Sequence, residues 1–530
     1  MTSIEAARRV RIALPAAGYS WQAAAAFAAA AAVVSAALFL RLYDLQPYAA
    51  VPDHYDRLTD AARIVSGRLP ESRFYPPGAA FIFAIPVALG SDSMITLQVT
   101  TAIFGAALVA LAYFGVAKLT GDRLAAVCTA ALVAVHPLFV EYSRSGFTDI
   151  VQTFMTVLLV FLVPWLKGRP LPAFVAYGAL FALLVLQRPT NLVVAAPLAV
   201  YWLSLNGTGV HPGRIVRALT APHVLATAAT AIGLCAVSVL AGNWSSGGYG
   251  NVITTENFAA NVVYYARMTV GWSLGAVIVP LAAVGCRCLW RTDRGLLLAG
   301  AALLFVLPLT YAPFYFQNWR YMMPTIFVVL MLASLGISSL LTAGSETRLR
   351  RFGRVLAAGS MLLVMGSLTN AAGGVVGGWP EASRESDWGL AQEVVAYTRA
   401  LPDEALLISP VTRTLGGEQD RLQMLDLMEV SAAERDPDRV RRIVLATIAG
   451  AAVQGRDVYY LYSHIEDYKR IFSRDWDDFQ LYFRSIEDAY TVTEVFRTEA
   501  RRFGKEDPWV LYRVTPKPEQ QAPEPAAAAP

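Results

Sequence analysis

Long apolar runs broken by short polar connections dominate the chain up to about residue 372, and the pattern changes abruptly after that. A helix needs about twenty apolar residues to cross a hydrocarbon core of roughly 30 Å. On that measure, spans are predicted near 21–40, 94–117, 124–141, 149–166, 171–187, 190–205, 223–241, 268–286, 295–312, 322–342 and 354–372. That makes eleven transmembrane helices. The run Ala79 to Gly90 is apolar but short, and Pro76-Pro77-Gly78 forces a turned entry to it, so it reads as an interfacial helix in the first outer loop.

From Glu381 the periods become those of a water-soluble domain. Helices are predicted at Leu390 to Leu401 and Asp438 to Ala452, and strands at Ala405 to Ser409, Asp457 to Tyr462, Tyr490 to Phe496 and Trp509 to Val514. The expected organisation is therefore a membrane domain over 1–372, with its first outer loop at 41–93, a small α/β soluble domain over 373–515, and a Pro/Ala-rich disordered end over 516–530.

Composition agrees with a lipid solvent: the 530 residues are 55% hydrophobic and only 16% charged, against roughly a quarter charged in soluble domains. A net charge of +4 is too small to point to a nucleic-acid partner. The basic residues sort by membrane side. With eleven spans and an inside N-terminus, the inner segments hold sixteen Lys and Arg and the outer loops nine, as the positive-inside rule requires. Arg8, Arg9 and Arg11 precede a first apolar run too long for a signal-peptide core, so that run is read as an uncleaved span. Cys128, Cys235, Cys286 and Cys288 all lie in or beside apolar segments, where buried thiols are expected rather than a disulfide framework or a metal site.

This topology places 41–93, the loops near Arg144, Arg188, Tyr249 and Arg320, and the soluble domain on the outer face. The first outer loop carries Asp53, Asp56 and Asp60 close behind a span. Helix capping by Asp53 and a solvated amphipathic face explain that stretch on their own terms. The other loops shift the balance. Arg144 and Asp149 flank a glycine between two spans, Arg188 precedes Pro189, and Arg320 sits just ahead of the tenth span. Solitary outward arginines at separate helix ends, against the prevailing charge bias, suggest a bound anion such as a lipid phosphate. No Asp, Glu, Lys or Arg interrupts the middle of any predicted span, which weighs against an ion-coupled transporter. The glycine-rich aromatic loop around Tyr249 suits either a lid or a plain connection.

Taken in order, Pro52-Asp53-His54-Tyr55, Tyr75-Pro76-Pro77-Gly78, Tyr142-Ser143-Arg144 with Asp149, Arg188-Pro189, and Arg320-Tyr321 with Pro324 resemble the GT-C superfamily of integral-membrane glycosyltransferases over about residues 20–345. The similar group is the bacterial branch related to protein O-mannosyltransferases and lipid A aminoarabinose transferases. Where that family often carries Asp-Glu, this chain has Asp53-His54. The resemblance implies transfer of a sugar from a polyprenyl-phosphate donor to an acceptor hydroxyl on a lipid, glycan or protein, with inversion. It implies Asp53 as the base and a catalytic part for Asp149. Arg144, Arg188 and Arg320 are the candidate ligands of the donor phosphate, and His54, Tyr55, Tyr75, Tyr249 and Tyr321 the candidate substrate-loop residues. A divalent cation is the one cofactor left open.

The chemistry fits this division. A glycosidase must protonate its leaving alkoxide and so needs an acid beside its base or nucleophile. A phosphate leaves readily, so one carboxylate and cations for the departing charge suffice. The expected setting is the inner membrane of a bacterium, N-terminus inside and soluble domain outside. A lipid-linked saccharide flippase and a non-catalytic scaffold displaying the soluble domain are the alternatives.

Overall fold

The structure is a computed structural model that describes residues 21–45, 53–70, 76–91, 93–207, 211–240, 257–271, 275–314, 318–342, 348–377, 387–410, 421–427, 430, 434, 436–463, 482–498, 501–502, 505–506 and 509–517. It is a mainly helical multi-pass membrane protein with a small C-terminal sheet domain.

The first helices are α1 (Trp21–Leu42), α2 (Asp53–Val65), α3 (Gly78–Ala88) and α4 (Met94–Thr120). Then follow α5 (Arg123–Val135), α6 (Pro137–Arg144), α7 (Asp149–Leu166), α8 (Leu171–Gln187) and, after a 3-10 segment over Pro189–Val194, α9 (Ala195–Leu205). Next come α10 (Pro212–Leu219), α11 (Pro222–Leu240), α12 (Phe258–Gly271), α13 (Gly275–Thr292) and α14 (Arg294–Tyr311). A 3-10 turn over Trp319–Met322 leads into α15 (Met323–Thr342) and α16 (Arg348–Gly377).

Among the described residues, five helical stretches are long and apolar enough to cross a membrane singly, and two bent pairs, α5 with α6 and α10 with α11, raise that number to seven. Shorter apolar helices fill the rest, among them Phe27–Leu42, Leu171–Gln187 and Pro189–Leu205. All eleven predicted runs are thus helical where described, but they are not eleven uninterrupted spans. The run 124–141 breaks by 56° at Pro137, because proline has no N–H to continue the ladder and holds His136 extended at φ −70°, ψ 123°. In the run 268–286, α12 is described to Gly271 and α13 from Gly275. Hydropathy alone cannot see the break at Pro137.

Close helix crossings are made by glycine. A Cβ on Gly285 would strike the Leu332 carbonyl and one on Gly336 the Leu281 carbonyl, so α13 and α15 touch backbone to backbone. The interior of α15 is sealed from Met323 through Ser338. The apolar helix predicted at 79–90 is α3, whose Gly78, Ala79, Ala80 and Phe83 are buried. A Cβ on Gly78 would lie 2.5 Å from the Leu186 carbonyl carbon, so α3 packs directly on the end of α8.

The soluble domain has α17 (Asp387–Thr398) and α18 (Pro437–Val453) with strands β1 (Leu406–Ser409), β2 (Gln423–Asp426), β3 (Val458–Ser463), β4 (Tyr490–Arg497) and β7 (Trp509–Pro516). A two-residue hairpin, β5 (Arg501–Arg502) and β6 (Lys505–Glu506), stands apart. The sheet order is β2-β1-β3-β7-β4, with β1 parallel to β2 and β3, and β7 antiparallel to β3 and β4. Trp509, Leu407, Leu461 and Val440 sit in its core. Strand β2 escaped the sequence reading, because four half-exposed residues carry no alternation to detect.

A candidate anion site around Asp149

Three breaks in helical structure build the site. After α6, Ser145 and Gly146 turn the chain; Gly146 has φ +78°, a left-handed conformation that glycine takes without strain. The turn delivers Asp149 as the first residue of α7, 4% exposed. At the end of α8, Arg188 is extended at φ −161°, ψ 123° because Pro189 follows it, and Asn191 Nδ2 donates to the Leu184 carbonyl at 2.9 Å to close the helix end. Ahead of α15, Asn318 caps a single 3-10 turn, its side chain accepting from the Arg320 N–H at 3.2 Å.

These breaks aim two arginines at one carboxylate. Arg188 Nη1 lies 3.0 Å from Asp149 Oδ1, and Arg320 Nε lies 3.5 Å from Asp149 Oδ2. The first contact is a charge-assisted hydrogen bond; the second is an ion pair without hydrogen-bond geometry. Arg57, buried on α2, adds its charge to the field at Asp149. Three guanidinium groups therefore act on a single carboxylate in a setting mostly closed to water, where charges interact several-fold more strongly than in bulk.

Aromatic rings lie against both arginines. The Arg188 guanidinium lies 4.5 Å over the Tyr321 ring, and that of Arg320 lies 4.5 Å over Phe147. Tyr321 stacks on Tyr311 with centroids 4.2 Å apart and planes at 19°, and the Tyr311 hydroxyl pairs with Thr190 Oγ1 at 2.8 Å. Trp319 Nε1 donates to the Tyr142 hydroxyl at 3.0 Å, tying the Arg320 turn to α6.

Arg144 is not among the arginines gathered here. It is fully buried, with Nη1 donating to the Leu40 carbonyl at 2.7 Å and Nη2 to that of Asp44 at 3.5 Å. Asp53, His54 and Tyr55 open α2, on the same helix as Arg57, but their side chains lie outside the described residues, as do Tyr75 and Tyr249 altogether. Among the described residues, no three His, Cys, Asp or Glu side chains gather in a way that could hold a metal ion. Sequence reasoning gave no site role to Arg57, Tyr142, Phe147 or Tyr311. Tyr142 entered only as part of a quoted stretch, and Arg57 left a signal one helical turn beyond Asp53 on the same face.

Against known structures, the chain is similar to ArnT from Cupriavidus metallidurans bound to undecaprenyl phosphate: TM-score 0.60 and 14% identity, covering 94% of this chain and 98% of that one. The apo state of the same protein gives 0.59 at 14% identity, over 92% and 98%. This chain has the GT-C fold. Residues 75–241 of the GT-C core also match the sequence family described as dolichyl-phosphate-mannose-protein mannosyltransferase. That region is roughly a third of the chain and contains Arg144, Asp149 and Arg188 but neither Arg57 nor Arg320. No curated protein matches by sequence. The cluster around Asp149 thus draws partly on residues outside the matched segment.

Proposed function

We propose that the protein is a glycosyltransferase that moves a sugar from a polyprenyl-phosphate donor to an acceptor hydroxyl at the outer face of a bacterial inner membrane, its N-terminus inside and its soluble domain outside. The observation that carries this reading is the convergence of Arg188 and Arg320 on Asp149, on a fold shared with a protein that binds undecaprenyl phosphate.

In this reading the donor phosphate binds against the guanidinium groups of Arg188 and Arg320. Asp149 holds the two guanidinium groups in place before substrate arrives, which lowers the reorganisation needed as charge develops on the leaving phosphate. Asp53, at the start of α2, takes the proton from the acceptor hydroxyl. The acceptor oxygen then bonds to the anomeric carbon from the face opposite the phosphate. The bond between that carbon and the phosphate oxygen breaks, and polyprenyl phosphate leaves with its electron pair. Configuration inverts, and no acid is needed for the leaving group. The acceptor is a lipid, glycan or protein hydroxyl, and the soluble domain helps to bind it.

The test uses the full-length protein in lipid nanodiscs. Undecaprenyl phosphate should bind, and replacing Arg188 or Arg320 by Gln should each raise its Kd by about 10- to 100-fold, the loss expected for a charge-assisted hydrogen bond. A panel of undecaprenyl-phosphate hexoses and pentoses should include one from which undecaprenyl phosphate is released on transfer. Asp53→Asn should abolish release while keeping binding. Unchanged release in that variant would refute Asp53 as base, and lipid movement without glycosidic bond formation would identify a flippase.

A further inference from the structure

Two fully buried arginines outside the Asp149 cluster each complete a broken helix end. Arg41 on α1 donates through Nη1 to the Ala134 carbonyl at 3.1 Å, through Nη2 to the Val133 carbonyl at 3.4 Å and through Nε to Ser143 Oγ at 3.1 Å. Its Nη1 also reaches Ala37 of its own helix at 3.0 Å. Val133 and Ala134 belong to the last turn of α5, whose carbonyls lose their donors where the chain breaks at His136-Pro137. Arg41 replaces those donors.

Arg144 does the converse. It ends α6 and donates to Leu40 and Asp44 at the exit of α1. Asp44 has φ +49°, a left-handed conformation, and the Arg144 contact holds it there. A third helix closes the arrangement: Thr101 Oγ1 on α4 donates to the Ser143 carbonyl at 2.9 Å, and a Cβ on Gly105 would come 2.7 Å from Arg41 Nε.

The clasp joins two points that matter to the site. From the end of α1 the chain runs through residues 43–52 to Asp53, and from the end of α6 it runs through residues 145–148 to Asp149. We infer that Arg144, supported by Arg41, is a positioning residue that fixes the exit of α1, from which the chain continues to Asp53, relative to Asp149, and that it does not bind the donor phosphate. The inference rests on the glycosyltransferase reading for its effect on turnover, whereas the clasp itself can be tested without it.

The experiment compares the wild type with Arg144→Gln, Arg144→Lys and Arg188→Gln in nanodiscs by three readouts. The expected result for R144Q is faster amide hydrogen exchange in the last turn of α1, where the Tyr43 N–H bonds to the Phe39 carbonyl at 2.8 Å. Undecaprenyl phosphate Kd should stay within about twofold of wild type, while sugar release falls about 10- to 100-fold, as misplacement by an ångström costs. R144K, which keeps one donor for the Leu40 carbonyl, should recover part of the release. A Kd raised as far as in R188Q would make Arg144 a phosphate ligand and overturn the proposal. Unchanged exchange, or unchanged release in an active protein, would overturn it equally. If R144Q does not fold, R144K judged by the same readouts decides. If the wild type transfers no sugar, the functional reading fails and the exchange result still tests the clasp.

Discussion

The indole N–H of Trp319 donates to the phenolic oxygen of Tyr142 over 3.0 Å, joining the turn that carries Arg320 to the helix that leads into Asp149. Segments 177 positions apart are thereby held in register, and the register sets how Arg320 meets the carboxylate. Trp319→Phe removes the donor together with part of the ring. One hydrogen bond of this kind contributes about 1 kcal/mol, so stability should fall by at least that amount. Undecaprenyl phosphate Kd should rise about three- to fivefold as the Arg320 turn loosens. Isothermal titration against the purified variant measures it, and an unchanged Kd would show that the tie does not position Arg320.

Removing the carboxylate at Asp149 should have effects of opposite sign on folding and on anion binding. Arg188 and Arg320 both lean on it, so Asp149→Asn should destabilise the apo protein by about 3–5 kcal/mol, the usual result of breaking a buried pair from one side. Added undecaprenyl phosphate supplies the lost anion. The rise in Tm on adding it should therefore be larger in the variant than in wild type. Sugar release should still drop, because the arginines are no longer held ready. A smaller Tm rise than in wild type would place the phosphate elsewhere.

Arg188 depends on shape as well as charge, since its guanidinium lies over the Tyr321 ring while reaching Asp149. Lysine keeps the charge but neither the fork nor the planar group over the ring. Arg188→Lys should keep measurable undecaprenyl phosphate binding, with a Kd about three- to fivefold above wild type and below that of Arg188→Gln. Equal affinities for the Lys and Gln variants would mean that the planar geometry carries the whole interaction.

Arg144, Arg188 and Arg320 look alike in the sequence: each is a solitary arginine at a helix end. What separates them is whether orphan carbonyls of another helix lie within reach, as Leu40 does for Arg144, or a carboxylate does, as Asp149 does for the other two. That depends on long-range packing which no local pattern encodes. Pro189 and Pro137 did mark chain breaks that shape the site, yet hydropathy ran straight across Pro137 and hid the 56° bend that Arg41 repairs. Arg57 was visible only as one more charge on an amphipathic helix. In the soluble domain the strands with long apolar runs, Val458–Ser463 and Trp509–Pro516, were readable, and short half-exposed Gln423–Asp426 was not.

The contact of α3 with the end of α8 yields a prediction that involves no charge at all. Gly78 has no side chain, and an added Cβ would lie 2.5 Å from the Leu186 carbonyl carbon and 2.6 Å from the Gln187 nitrogen. Both are backbone atoms at a helix end and cannot swing aside, so Gly78→Ala must push α3 away from α8. Overpacking of this kind costs about 1–3 kcal/mol. The displaced segment immediately precedes Arg188, so undecaprenyl phosphate binding should weaken together with the fall in Tm. Gly366→Ala on α16 is the control: a Cβ there meets nothing within 4 Å, and alanine favours a helix over glycine by up to about 1 kcal/mol. That variant should match or slightly exceed wild type in Tm and leave binding unchanged. If G78A behaved like G366A, the packing of α3 against α8 would have no part in holding Arg188 in place.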